Sequence, residues 1–377
     1  MEFFIRTSDM QRVIKLLGVT AKMNDTSFEG QVLIKTNKDV AIFISRNSSS
    51  GLTCTVPAKI IVEGQSNILY SRMKSFIMTF APWDGEIGAK EFHFVLRNTK
   101  LFVEVETFYE NENSSKSKLH LEQFKVSSFF TPVEMDKSNL IINSNIIKTA
   151  IDKAIYAIDP NSSEKFTKGI RMLLKDKKII YTATNGIVVS NYEVVNKSSK
   201  NDGEYFLPYG FIMGLRRLLA DDTQLFFNIT KQKIKASFDN VLYWSNSLSY
   251  DHWPPTDSVW NKYDKTIELR RDILLSGISA AADVLDKDDF NRVTIEMVNN
   301  KLYLRTDNSL FEYPNVEHTY SNFSVDISGR DLINSLNAIS DNDIKFKCLD
   351  ENNGVIIESC GKDDQKAFIT NLILKKR

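Results

Sequence analysis

The sequence has few of the residues that mark secreted, metal-binding or membrane-spanning proteins. Its 377 residues include three cysteines, Cys54, Cys348 and Cys360, an odd number without a CxxC pair. Neither a disulfide framework nor a zinc site is therefore expected. No stretch reaches the run of about 18 apolar residues that a membrane helix needs. No basic segment followed by an apolar core opens the chain, so we expect no signal peptide, no membrane contact and a cytoplasmic location.

The sequence also lacks the common motifs of enzymes and nucleotide-binding sites. GxxxxGK(S/T), HExxH, GxSxG and GxGxxG do not occur. The four histidines have no ligand spacing, and the acidic run at 286–289 lacks the pattern of a calcium loop. We therefore expect no catalytic residues, no metal and no cofactor.

The charges of the chain are balanced. Lys and Arg number 48, and Asp and Glu also number 48, so the formal net charge is zero. This balance excludes a strongly basic nucleic-acid binder, although local segregation of charge stays open. The length suits two or three domains.

Helical and hairpin patterns recur three times along the chain. Amphipathic helices are anchored at Met10, Ile147 and Leu274, which lie 147 − 10 = 137 and 274 − 147 = 127 residues apart. A hairpin with alternating apolar residues follows each helix, and the three hairpins turn near residues 37, 176 and 299. Second helices, anchored at Met73, Phe211 and Leu332, each precede further strands.

The repeated order predicts an α+β fold of three topologically similar domains. Each domain would pack two helices on antiparallel sheets. The joints at 130–139 and 251–265 contain proline and place the domains at 1–132, 133–255 and 256–377. Any α+β protein has helices and hairpins somewhere, but three ordered matches favour an internal repeat.

Four short stretches carry a resemblance to a known family. The middle stretch "TATNGIVVS" resembles "ATDGHRLA", and "WPPTDSVW" resembles "FPDYRRVL". The stretch "KAFITNLIL" resembles an apolar final strand that ends in "MPMRL", and "MEFFIRTSDMQRVIKLL" resembles an opening strand and helix. In this order and spacing, the whole chain resembles the bacterial sliding clamp, the beta subunit of DNA polymerase III.

The resemblance implies a ring without catalytic activity. Two chains would join head to tail as a homodimer, each chain forming half of a closed ring of DNA-clamp domains around double-stranded DNA. The ring would tether a DNA polymerase for processive synthesis, and a clamp loader using ATP would open it. The departures from the family motifs suggest a phage-encoded or otherwise divergent clamp, acting in a bacterial cell or in an infected host cell.

Basic residues on the helices are the candidates for contact with DNA. Cations on a lining would attract phosphates without reading bases. Solvated helix faces explain such residues equally well when the helices are considered alone, and interspersed aspartates predict only a weakly basic face. The candidate DNA-binding residues are Arg12, Lys15, Lys22, Arg72, Lys74, Lys148, Lys153, Arg216, Arg217, Arg270, Arg271 and Arg330.

The resemblance also implies an apolar groove for short motifs of partner proteins, beside the glycine turn. Its residues would be Thr167, Thr184, Gly186, Ile187, Val188, Val189, Pro254, Val259, Ile369, Asn371, Leu372 and Ile373. A buried strand at 187–189 is the alternative. Ile187, Val188 and Val189 stand where the family has His-Arg-Leu, which leaves the preferred motif open. Val284 and Leu285 match the apolar subunit interface of the family.

Two other classes of protein stay open on the sequence alone. One is a β-rich structural or adhesion protein of three domains, such as a virion component. The other is an enzyme whose motif is not recognisable.

Overall fold

A computed structural model describes most of the chain. The described residues are 1–82, 87–109, 113–126, 133–196, 202–248, 252–260, 265–282, 292–299, 301–306, 309–313, 322–348, 354–361 and 365–369. These residues form antiparallel sheets and six α-helices, which confirms the α+β class.

The first repeat alternates strands with two helices. Its elements are β1 (Glu2–Arg6), α1 (Thr7–Leu17), β2 (Gln31–Asn37), β3 (Val40–Arg46), β4 (Ser50–Pro57), β5 (Lys59–Val62), β6 (Gly64–Leu69), α2 (Tyr70–Ile77), β7 (Gly88–Arg97), β8 (Lys100–Phe108) and β9 (Ser114–Glu122).

The second and third repeats follow the same order without a counterpart of β5 in the described residues. The second has β10 (Leu140–Asn143), α3 (Ser144–Ala154), β11 (Gly169–Lys175), β12 (Lys178–Thr184), β13 (Val188–Val195), β14 (Gly203–Pro208), α4 (Tyr209–Leu218), β15 (Gln224–Ile229), β16 (Lys233–Phe238) and β17 (Val241–Asn246). The third has β18 (Lys265–Arg270), α5 (Arg271–Ala282), β19 (Arg292–Val298), β20 (Lys301–Arg305), β21 (Leu310–Tyr313), β22 (Phe323–Ser328), α6 (Gly329–Ala338), β23 (Asp343–Cys348), β24 (Val355–Ser359) and β25 (Gln365–Ile369).

The helices and hairpins form where the sequence pattern predicts them. In α1, Met10, Val13, Ile14 and Leu17 are buried along one stripe. The hairpin between β11 and β12 turns on Asp176 and Lys177, which have φ angles of 52° and 63°. Two consecutive residues with positive φ match the right-handed twist of the flanking strands.

The strand pairing is the same in all three repeats. One sheet takes the orders β1-β7-β8-β9, β10-β15-β16-β17 and β18-β23-β24-β25, and the other takes β6-β2-β3-β4, β14-β11-β12-β13 and β22-β19-β20-β21. Strand β5 is added beside β1. The shared topology supports an internal duplication.

Two joints between strands connect successive repeats. Strand β4 pairs with β17, and β13 pairs with β25, both antiparallel. Each joint merges a four-stranded sheet from one repeat with a four-stranded sheet from the next into an eight-stranded sheet.

The chain therefore divides into two compact units that cross the repeats. One unit is Met1–Ser144 with Met213–Ser247, and the other is Asn145–Ile212 with Leu248–Arg377. The two sheets of the second repeat fall in different units because each shares a continuous ladder with a neighbouring repeat. The three-domain division stays a prediction.

Candidate functional site

The glycine turn of the second repeat satisfies its own polar groups. The side-chain Oδ1 of Asn185 accepts hydrogen bonds from the backbone amides of Ile187 and Val188, both at 2.9 Å. The amide of Gly186 donates to Thr184 Oγ1 at 3.1 Å. Gly186 has a φ of 88°, a conformation that favours glycine. Because the turn is closed by its own side chains, apolar residues follow it directly into β13.

The pairing of β13 with β25 brings the two predicted walls of the groove together. Val188 lies opposite Ile369, and Val189 lies opposite Phe368. Val188 and Ile369 are fully buried, and Val189 is 7% exposed. Their burial contradicts the prediction that they line an open wall, because a ladder residue with a covered side chain has no surface to offer. For Val188 and Val189, this burial agrees with the alternative of a buried strand.

The remaining described groove residues differ in exposure. Thr167 and Thr184 are buried, and Thr167 Oγ1 donates to the carbonyl of Glu164 at 2.8 Å. Gly186 is exposed, while Ile187, Pro254 and Val259 are half-buried. The accessible part of the predicted groove therefore lies at the turn and on the segment 252–260. Asn371, Leu372 and Ile373 lie outside the described residues, as do the interface candidates Val284 and Leu285.

Trp253 anchors the proline segment of the groove. Its indole nitrogen donates to Thr256 Oγ1 at 3.1 Å, and its ring packs edge-on against Phe166 at 6.3 Å between centroids. The guanidinium carbon of Arg171 lies 5.5 Å from the ring centre, a cation–π contact. These contacts hold the following prolines beside the short 3-10 helix Lys165–Lys168, which itself contacts β11 and β12.

A surface cavity of about 580 Å³ opens beside this anchor. Its lining combines apolar, polar and charged side chains, namely Ser163, Glu164, Lys165, Phe166, His252, Pro254 and Pro255. Of these, sequence reasoning identified only Pro254. Phe166, three residues before a predicted strand, and Trp253, directly before two prolines, are the sequence signal that could have identified the rest.

The equivalent turn of the first repeat offers a comparison inside the same chain. Asn47 Oδ1 accepts from the amides of Ser49 and Ser50 at 2.9 and 2.8 Å, as Asn185 does in the second repeat. Here the next residues are serines, and Glu29 accepts from the amide of Ser48 at 2.7 Å. The same asparagine hydrogen bonds thus close a turn that is polar in the first repeat and apolar in the second.

Most of the basic candidates reach solvent. Arg12, Lys15, Lys22, Arg72, Arg216, Arg217, Arg270 and Arg330 are exposed, and Lys74 and Lys148 are half-buried. Some are paired with acids: Arg12 with Asp239 at 3.4 Å, and Arg270 with Asp272 at 2.9 Å. Lys22 pairs with Glu29, and the hydrogen bond from Lys22 is the largest cause that lowers the pKa of that carboxyl.

Two of the predicted DNA contacts instead cap the C-terminal end of α6. Lys153 is 4% exposed, and its Nζ donates to the carbonyl of Ala338 at 3.0 Å and to Ser340 Oγ at 3.2 Å. Half-buried Arg271 donates from Nη1 to the carbonyl of Ile339 at 3.0 Å. The last carbonyls of a helix have no partner within it, and a cation there also meets the negative end of the helix dipole. The burial of Lys153 contradicts its prediction as a DNA contact, and the bonds of Arg271 direct that side chain inward.

Metal-ligand clusters and membrane-spanning helices are absent from the part of the chain that the structure describes. No three His, Cys, Asp or Glu side chains come together there as metal ligands. None of the helices there is both long and apolar enough to span a membrane.

Solved structures share this architecture over nearly the whole chain. The DNA polymerase III subunit beta of Pseudomonas aeruginosa aligns with a TM-score of 0.86 and 16% identity, covering 99% of this chain and 100% of that one. The DNA polymerase sliding clamp of Bacillus subtilis aligns with a TM-score of 0.86 and 12% identity, covering 99% of each chain. The repeated two-sheet topology is thus the fold of the polymerase sliding clamps.

The sequence gives a second line of similarity. Residues 141–252 match the family model described as DNA polymerase III beta subunit, central domain. The beta sliding clamp of Buchnera aphidicola subsp. Rhopalosiphum padi is 24% identical over 258 residues, which cover 68% of this chain and 65% of that relative. The chain is thus similar in sequence to the DNA polymerase III beta sliding clamps, at an identity that marks it as divergent. These matches favour a clamp over the structural or adhesion alternative.

Proposed function

We propose that the protein is a DNA sliding clamp that tethers a replicative DNA polymerase and has no catalysis of its own. The observation that carries this proposal is the threefold repeat of one two-sheet topology, joined twice by the same kind of strand pairing. The family model and the relatives reported above carry the names of polymerase clamps. We also propose a cytoplasmic location, in a bacterial cell or in a host cell infected by a phage that encodes the protein.

The closed form would be a head-to-tail homodimer. Strand β4 pairs with β17, and β13 pairs with β25, in each case the last strand of the other sheet in the next repeat. The strand equivalent to β4 and β13 in the third repeat is β21, and the strand equivalent to β17 and β25 in the first repeat is β9. Among the described strands, β21 and β9 each lie at the edge of a sheet. An unpaired sheet edge favours addition of a strand, and unlike edges at the two ends give a ring when the rotation closes. Three domains per chain would then become six per ring.

Double-stranded DNA would pass through the ring and meet basic helices. The residues that support this contact are the exposed and half-buried cations described above, without Lys153 and Arg271. Their contribution would be electrostatic, independent of sequence and sensitive to salt. Reversal of the exposed neighbours Arg216 and Arg217 to glutamate should shorten the time that the clamp stays on nicked circular DNA. Unchanged retention after this double reversal would count against DNA contact at α4.

Partner proteins would bind at the glycine turn and the proline segment. Half-buried Ile187 and the apolar wall at Phe166 and Pro254 would accept apolar side chains of a polymerase or clamp-loader segment. Asp in place of Ile187 should reduce polymerase binding, since it places a charge on the apolar surface. Val195→Asp is the matched control, because Val195 is 59% exposed and lies at the far end of strand β13, away from the turn that contains Ile187. If both variants lose polymerase binding equally, or if neither loses it, the proposed groove would be refuted.

Primer extension tests the proposal as a whole. The polymerase and clamp loader of the same replication system would extend a primer on circular single-stranded DNA, with and without this protein. We expect longer products from each binding event when the protein, the loader and ATP are all present. Products of unchanged length would refute the clamp function.

A further inference from the structure

The strands β4, β13 and β21 align residue by residue through their hairpins. The first hairpin of each repeat closes on a pair that includes the first residue of β3, β12 or β20. In each repeat, the residue five positions later lies opposite a residue of the next strand. The strand register shows this pairing in two repeats, and a hydrogen bond from the Thr306 amide to a carbonyl shows it in the third. The residues reached by this count are Leu52, Ser190 and Ser309.

The strands β9, β17 and β25 align in the same way through the other sheet. The starting point is the residue four positions before the first helix of each repeat. Three steps across the ladder lead from it to the last strand. The three paths are Phe3–Phe94–Val103–Leu119, Leu140–Phe227–Ala236–Tyr243 and Ile267–Phe346–Ile357–Ala367.

Both joints within the chain place these equivalent residues opposite each other. Tyr243 faces Leu52 in one joint, and Ala367 faces Ser190 in the other. Two joints of unrelated sequence thus use one register. The same register in a third joint would place Leu119 of one copy opposite Ser309 of the next.

We propose that β9 of one copy pairs antiparallel with β21 of a second copy in this register, with Lys116 facing Glu312. The proposal rests on the homodimer proposed above and adds its register and its charge pair. Counting along the two antiparallel strands from Leu119 and Ser309 places Lys118 opposite Leu310, Ser117 opposite Phe311, and Lys116 opposite Glu312.

The chemistry of the two edges fits this register. Lys116 is 80% exposed and lies 4.0 Å from Glu106 of β8, while Glu312 lies 2.6 Å from Lys301 of β20. Pairing the edges would complete a row of alternating charge across four strands, and opposite charges on facing strands stabilise a sheet. Leu310 is 57% exposed on the same face, where the alkyl stem of Lys118 would cover it.

The opposite faces of the two strands also match. Phe311 lies over Gly277 of α5, where an added Cβ would approach its ring to 2.5 Å. Leu119 and Leu121 face the core of the first repeat, with Leu121 1% exposed. A slip of one residue would turn Lys116 and Lys118 toward this apolar side, which is costly, and a slip of two would separate Lys116 from Glu312.

Cysteine trapping tests the register directly. Directly opposed residues in an antiparallel pair have Cα atoms about 4.5 to 5.5 Å apart, which suits a disulfide. In a Cys360→Ser background, the double variant Lys118→Cys/Leu310→Cys should oxidise to a covalent dimer. The out-of-register control, Lys118→Cys/Glu312→Cys, should not. The native Cys54 and Cys348 are buried, and burial raises the pKa of the Cys54 thiol to about 11, so we expect neither to form a disulfide in this experiment.

Charge reversal tests the ion pair by the dimer dissociation constant, measured by analytical ultracentrifugation. Lys116→Glu and Glu312→Lys should each weaken the dimer about tenfold at low salt, because the ring contains the contact twice. Combining both reversals should restore most of the lost affinity of the dimer. Lys178→Glu, which removes a cross-strand pair with Glu193 away from both edges, is the control and should leave the dimer unchanged.

The outcomes separate the register from the ring itself. A dimer that forms, but is trapped only by the out-of-register cysteines or ignores both charge reversals, would overturn the register and leave the clamp function standing. A chain that stays monomeric at all salt concentrations and is not retained on circular DNA would overturn both.

Discussion

Replacement of Lys153 by methionine separates a structural role from a role in DNA binding. The Lys153 ammonium is buried in the second compact unit, where it donates to the carbonyl of Ala338 and to Ser340 Oγ. It also lies 5.4 Å from the centre of the Tyr192 ring. Methionine keeps most of the side-chain volume but supplies no donor.

The expected loss of stability follows from these contacts. A buried carbonyl left without a donor costs about 1 to 3 kcal/mol. Loss of a cation at a helix C-terminus adds about 0.3 to 1 kcal/mol. Relief from burying a charge offsets part of this. We expect the free energy of unfolding to fall by about 1 to 3 kcal/mol.

Urea unfolding and retention on circular DNA together provide the assay. Lys175→Met is the control, since Lys175 is exposed on strand β11 of the same compact unit. Lys153→Met should unfold at lower urea with unchanged retention under folding conditions, whereas Lys175→Met should retain its stability. Unchanged stability combined with shortened retention in Lys153→Met would refute the capping role.

Two further predictions concern the first compact unit. An alanine at Gly51 would place its Cβ 2.7 Å from the Trp244 ring, so Gly51→Ala should lower the free energy of unfolding by about 1 to 3 kcal/mol through overpacking. Gly210→Ala is the control, because a Cβ added there meets nothing within 4 Å. Equal thermal midpoints of the two variants would contradict the close packing at Gly51. Because the hydrogen bond from Lys22 lowers the pKa of Glu29, this carboxylate should stabilise the fold above its ordinary pKa of 4.5, and the stabilisation should be lost as the pH falls through the lowered pKa. The thermal midpoints of Glu29→Gln and of the parent protein should therefore differ at pH 7 and converge towards pH 3. A difference that stays constant over this range would exclude the ion pair as its cause.

The repeat was predictable because its signals are local. The helical stripe of Met10, Val13 and Leu17 and the two-residue turn at Asp176 and Lys177 depend only on neighbours in sequence. The joints between repeats were not predictable. Pairing of β4 with β17 joins residues almost 200 positions apart, and the alternation of apolar and polar residues in either strand does not identify the strand it pairs with.

The site was predicted in part. The turn at Asn185 and Gly186 was found because that dipeptide favours a positive φ, and the resemblance placed β25 beside it. The burial of Val188 and Ile369 depends on what covers the completed sheet, which alternation alone does not define. Lys153 did carry a signal: it lies three residues after Ala150 and four before Ala157, on the apolar stripe of its helix rather than on the polar face.

As a sliding clamp, the protein would hold DNA by encircling it. The most direct test loads the labelled protein onto a nicked circular plasmid with a clamp loader and ATP, and then follows the DNA-bound fraction by gel filtration in high salt. We expect the protein to stay on the circle and to be released when a restriction enzyme linearises the DNA. Equal retention on circular and linear DNA, or no retention on either, would contradict it.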